Sequence, residues 1–200
     1  MSGSDAKSGM GSLPGAILVI LVAVAAYAFL VPSKADSAPS GFQPLSAPAT
    51  PVRLVVPSLK IRAPILPIEV NDQQILDPPR NPRDVGWWQR SARPGAQKGQ
   101  TVLTGHTVHT GGGVMDRLHK LHRGKLVKVV TPKGTMQYRT TRVVTWTKDQ
   151  LAERAVAIFA QKRANPRLVL ITCSGWTGDG YTSNVIVFAE PLGVRDRKTD

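Results

Sequence analysis

Cysteine is almost absent from this chain: there is one in 200 residues, Cys173. A single thiol excludes an intramolecular disulfide, so the fold must be held by its core. Carboxylates are scarce as well, with 13 Asp and Glu against 26 Lys and Arg and a formal net charge of +13. The acidic clusters that bind Ca²⁺ are not found in so basic a chain, and no calcium dependence is expected. The zinc spacings C-x-x-C and H-E-x-x-H do not occur, so a zinc site made from His106, His109 and Cys173 would lack both signatures. The sequence therefore calls for no metal and no cofactor. Regular alternation of strand and helix is also missing, which argues against a doubly wound parallel sheet.

What remains is an ordinary globular composition, 42% apolar, with enough length outside the first fifty residues for one domain of about 150 residues. The charge is unevenly placed. In residues 1–50, Lys7 and Lys34 balance Asp5 and Asp36, so the whole positive excess falls on the domain. Such a surface attracts polyanions, and the compartment decides which ones it meets.

The N-terminal region points to the compartment. Residues 13–31 (LPGAILVILVAVAAYAFLV) carry no charge. As a helix they would rise about 28 Å, close to the roughly 30 Å hydrocarbon core of a bilayer. A cleavable signal is the rival reading, because Ala26-Tyr27-Ala28 has the small-x-small form, but the apolar run continues through it. The expected organisation is a cytoplasmic tail (1–12), a single transmembrane anchor (13–31), a Pro/Ser/Ala-rich linker (32–51) and a basic exported domain (52–200) outside the cell. In that setting the partners are anionic wall polymers or lipid headgroups, and nucleic acid is not expected.

Within the domain, short apolar runs separated by Pro and Gly read as strands. They are 52–57, 59–61, 64–70, 101–104, 125–130, 135–145, 168–173 and 184–189. The prolines of the 64–70 run suggest an edge strand. Residues 77–93 hold Trp87 and Trp88 but show no periodicity, and read as a long ordered loop. Thr147 and Gln150 have capping-box spacing and open a helix whose apolar face is Leu151, Ala155, Ile158 and Phe159. The sum is a mainly β domain, antiparallel for the most part and closed or barrel-like, with one good helix and one short helical turn.

Two strand ends carry chemistry. Leu168–Thr172 is a buried run that delivers Cys173 to a loop rich in Gly and Ser. A strand over Thr101–Thr104 delivers His106 to another Gly-rich loop. A thiol is mostly protonated at neutral pH and needs a base or a cation beside it, and His106 is the best base on offer. His119 and His122 lie on a basic turn and read as solvated.

Thr104-Gly-His106, Leu170-Ile-Thr-Cys173 67 residues after the histidine, and a last strand Asn184-Val-Ile-Val-Phe-Ala189 together resemble the sortases, most closely the short class F enzymes. Val169 stands where that family usually has Thr. The resemblance covers residues 52–192 and implies a closed eight-stranded β-barrel with one or two short helices. It also implies a membrane-anchored cysteine transpeptidase that cuts an LPXTG-type sorting signal and passes the acyl group to an amine. That amine would belong to a peptidoglycan precursor or a pilin. Thr104, where class E members carry Tyr, implies an LPXTG-like rather than LAXTG-like signal. Carried over by position, Cys173 is the nucleophile and His106 the acid/base. The family's Arg position falls on Asn184, and no Arg occurs between Cys173 and Arg195. Asn184 could still donate a hydrogen bond to the oxyanion, and Thr172 is a further oxyanion or positioning candidate. An exported thiol hydrolase and a non-catalytic basic wall-binding module are the other function classes the residues admit.

Overall fold

The computed structural model describes residues 41–72 and 75–195. The apolar run 13–31 lies outside the described residues, and among those described no helix is long and apolar enough to cross a membrane. Among the described residues there are nine strands: β1 (Phe42–Gln43), β2 (Arg53–Val56), β3 (Ile61–Ile68), β4 (Val85–Trp88), β5 (Gln100–Gly105), β6 (Leu126–Thr131), β7 (Gly134–Thr147), β8 (Arg167–Trp176) and β9 (Tyr181–Arg195). Their order is β1-β9-β7-β6-β2-β3-β4-β5-β8, and β8 pairs again with β9. That last pairing closes eight strands into a barrel, with β1 added at the far end of β9. Most pairs are antiparallel; β3–β4 and β5–β8 are parallel.

The barrel departs from the sequence reading in three places. The aperiodic segment around the tryptophans contains strand β4, four residues long, paired with β3 on one side and β5 on the other. It is too short for a period to show, and Trp87 is buried because its strand is central. The runs 59–61 and 64–70 merge into β3, which is not an edge strand. It pairs with β2 over Ile61–Pro64 and with β4 over Ile65–Ile68. Each half is thus open on one side, which makes room for Pro64 and Pro67. The folded part also reaches back before residue 52: Phe42 and Gln43 pair with Arg195 and Val194, and Leu45 and Ala49 are buried.

Two apolar layers explain why β8 reads as a continuous apolar run instead of alternating. Leu168 and Leu170 point into the barrel with Leu54, Leu103 and Val187. Val169 and Ile171 point outward, where Val102, Ile186, Phe188 and Ile158 cover them. A strand buried on both faces has no polar side to show. The outer cover is helical. Thr147 and Gln150 form the expected capping box at the start of α1 (Lys148–Glu153), and a turn at Arg154 separates it from α2 (Ala155–Phe159). The turn lets Ile158 bury completely while Val156 stays 78% exposed.

Candidate functional site

The parallel pairing of β5 with β8 is what builds the site. Thr104 sits opposite Ile171, and His106 and Cys173 each follow two residues later, so the register carries both to the same end of adjacent strands. A hydroxyl ties these ends together. Thr172 Oγ1 donates to the Gly105 carbonyl at 2.7 Å, which uses its only proton. Thr107 Oγ1, 2.8 Å away, must therefore be the donor to Thr172 Oγ1. The residue before Cys173 thus holds both neighbours of His106. Gly105 lets the following loop pack against the strand end, because a Cβ there would lie 2.8 Å from Val114 Cγ1. Beyond it, the 107–117 loop folds back on itself. Met115 N–H donates to the His106 carbonyl at 2.9 Å, and the Asp116 carboxylate accepts from the amides of Val108 and Gly113.

His106 is half-buried, and its Nε2 lies 2.8 Å from the Pro79 carbonyl. A carbonyl only accepts, so Nε2 carries the proton and Nδ1 is left free as the basic nitrogen. Cys173 is a free, half-buried thiol. Burial pushes its pKa up; the Lys148 ammonium at the start of α1 opposes this, and the Asp77 carboxylate reinforces it. The resting thiol is therefore neutral.

Asn184 faces Cys173 directly across the β8–β9 ladder. Its amide donates to the Thr172 carbonyl at 3.3 Å, which leaves one N–H of the amide uncommitted. Among the described residues no arginine is one of the charges that act on Cys173. Arg167 begins β8, six residues upstream and about 20 Å away along the strand. Its guanidinium is held there by Gln100 and the Ala157 carbonyl. The cation whose field reaches the thiol is Lys148, which no local pattern singles out. Only the β7–β9 pairing, with Trp146 opposite Asn184, shows that the start of α1 lies beside the site.

Cys173 and Thr172 lie in the wall of an open groove of about 560 Å³. Its other walls are the 107–116 loop and the β8–β9 hairpin. At the hairpin, Trp176 stacks flat on His109 with centroids 4.0 Å apart and meets Tyr181 edge-on at 5.1 Å. Gly175 makes the bend that presents Trp176, with φ at +71°. His109 is therefore part of an aromatic wall, while His119 stands exposed at the rim and His122 is exposed outside the groove. Among the described residues no group of three or more His, Cys, Asp or Glu side chains is placed to hold a metal ion. The wall residues were not legible beforehand, because a single aromatic in a Gly-rich hairpin has no periodic signature.

A closed barrel with a thiol and an imidazole at the ends of two parallel strands is the framework of a cysteine acyl-transfer enzyme. The family follows from the sequence match: the sortase domain model matches residues 54–192, and the chain belongs to the sortases, which are cysteine transpeptidases. No curated protein matches the sequence significantly. Among solved structures, the fold is similar to that of sortase C-1 from Actinomyces oris, with a TM-score of 0.56 at 21% identity over 72% of this chain and 76% of that one. Sortase A from Corynebacterium diphtheriae gives a TM-score of 0.58 at 16% identity, covering 77% of this chain and 65% of that one. Sortase C1 from Streptococcus suis gives 0.58 at 17% identity, covering 75% and 76%.

Proposed function

We propose that this transpeptidase cuts an LPXTG-type sorting signal through a thioester on Cys173 and passes the acyl group to an amine of the cell wall or of a pilin. The observation that carries the reading is the β5–β8 register, which sets His106 and Cys173 side by side with Thr172 stapling the two ends. Because the resting thiol is neutral, its proton moves to Nδ1 of His106 as sulfur attacks the Thr carbonyl. The tetrahedral oxyanion is met by the spare N–H of Asn184. The C–N bond then breaks, and the imidazolium returns the proton to the departing Gly amine. An incoming amine gives a proton to His106 as it attacks the thioester; the C–S bond breaks and the departing thiolate takes that proton from the imidazolium, so atoms and charge balance over the cycle. Thr172 acts by positioning, since its hydroxyl is spent on Gly105 and Thr107. The enzyme is anchored by residues 13–31 with its barrel outside the cell. Short length and Thr104 before the Gly-His pair support a class F-like enzyme and an LPXTG-like signal.

The test is to incubate the full chain in detergent with a panel of LPXTG- and LAXTG-type peptides and an amine, and to follow products by mass spectrometry. Cleavage between Thr and Gly with an acyl adduct on Cys173 is expected, as is an amide product in place of free acid. If wild type and Cys173→Ala both leave every peptide intact and unlabelled, the reading is wrong. Free acid as the sole product, even with abundant amine, would make the protein a thiol hydrolase instead.

A further inference from the structure

Carboxylates are missing from one side of the barrel. Residues 117–148 hold nine Lys and Arg and no Asp or Glu, and no carboxylate occurs between Asp36 and Glu69. The first stretch supplies β6 and β7, the second supplies β2, and the sheet sets them side by side in the order β7-β6-β2. Arg53 faces Val130 across the β2–β6 ladder and Val55 faces Lys128, while Leu126 faces Arg139 across β6–β7. Cations and aliphatic side chains thus alternate over the outer surface, and Leu54, Val127 and Val129 between them fill the barrel. Lys125 stands exposed just before β6 and Lys133 in the hairpin after it. Among the described residues the salt bridges are Arg90–Glu69 and Arg154–Glu153, so none of these cations is paired. The carboxylate that borders the face is Glu190 on β9, opposite Arg139.

The opposite side is built differently. Halfway round the closed order, the outward residues Val102 of β5, Val169 of β8 and Phe188 of the adjoining β9 lie in an apolar layer completed by Ile158 and Phe159 of α2. No residue of β2 or β6 belongs to that layer. Val55, Leu126, Lys128 and Val130 are only half-buried, and Val52 is 44% exposed. A bare sheet face with cations of one sign repels itself, and a negatively charged surface laid against it would relieve that repulsion.

We propose that the outer face of β2, β6 and β7 lies on the anionic phospholipid headgroups of the membrane that carries the chain. This rests on residues 13–31 being the anchor. Phe42, where β1 begins, is eleven residues past Val31, and fully extended chain of that length reaches no more than about 40 Å. A barrel so tethered stays within reach of the headgroups, where each Lys or Arg adds to the attraction. The tether also arrives beside this face, because β1 pairs with the end of β9 and that end pairs with the start of β7. Long cationic and short aliphatic side chains together suit a headgroup layer, which accepts both, whereas a dissolved polyanion would use the charge alone. Docked in this way, the barrel turns β8 and Cys173 away from the lipid.

The test places the full chain in nanodiscs of phosphatidylcholine, alone or mixed with phosphatidylglycerol, and follows acetylation of each lysine by mass spectrometry. Lys125, Lys128 and Lys133 are expected to react at least about fivefold more slowly in the anionic discs, and to regain their rate in high salt. Lys98 and Lys162, exposed near the starts of β5 and β8, are expected to react alike in both. Arg53→Gln/Arg139→Gln should abolish the protection, whereas Arg93→Gln/Arg163→Gln, which removes the same charge from the far side, should keep it. Equal rates in the two kinds of disc, equal slowing of all five lysines, or equal losses in both double variants would overturn the docking face. Poly(glycerol phosphate) added to neutral discs supplies the rival polyanion. Protection by that polymer and not by phosphatidylglycerol would assign the face to a wall polymer and overturn the lipid reading. Failure of the chain to enter neutral discs would instead count against the anchor, and the same labelling with phosphatidylglycerol vesicles added from outside would then decide the face alone.

Discussion

The two ends of β8 differ in how their polar groups are used. At the start of the strand almost everything is spoken for. Gln100, 1% exposed, donates to the carbonyls of Ala157 and Ala160 and accepts from Arg167 Nε at 2.7 Å. The Arg167 guanidinium also lies over the Phe188 ring at 4.3 Å. Burial, and then Arg163, pull its pKa down to about 10, so it remains charged at neutral pH. At the other end, Ser174 Oγ is buried without a partner, and the thiol is held neutral. Buried polar atoms left unmatched cost stability. One end of the strand is therefore built to hold and the other is kept open to react.

The sharpest way to break this contrast is at the thiol. Cys173→Ala is expected to lower acyl transfer by more than about 10³-fold with a melting temperature close to wild type, read by peptide transfer and thermal denaturation. Gln100→Ala should do the reverse. It leaves buried partners unmatched, so about 1–3 kcal/mol of stability should be lost while kcat per folded molecule is kept. Denaturant titration measures the first and active-site-normalised kinetics the second. Asn184→Ala removes one donor at the reacting end and is expected to lower kcat by up to about 10²-fold, with KM for the donor peptide little changed. The smallest effects are electrostatic. Lys148→Gln takes away the cation that lowers the thiol pKa, so the pH profile of Cys173 alkylation should move to higher pH. Asp77→Asn takes away the carboxylate that raises it, so the profile should move to lower pH. If both shifted the profile in the same direction, the assignment of these two charges would be wrong.

Much of this was legible in the chain. The β5 and β8 runs announced themselves because both are buried on both faces, and one leads into a histidine while the other carries the lone thiol. The capping box at Thr147 was read correctly because its partners are three residues apart. Strand β4 escaped because four residues cannot display a period, and the helix break at Arg154 because Leu151, Ala155 and Ile158 keep helical spacing across it. The positions of Lys148, Pro79 and Trp176 around the thiol depend on strand order and loop closure. Those are long-range properties that no local pattern encodes.

Strand β9 closes the barrel against β8, pairs with β7 along most of its length and takes β1 at its far end. It is also the last of the described strands in chain order. A growing chain that stops short of Tyr181 has every other strand but a sheet with two bare edges, and its cysteine lacks Asn184 opposite. Closure depends on contacts between distant parts of the chain, which form slowly. The enzyme is thus timed by its own synthesis: the thiol acquires its surroundings only once β9 has been made.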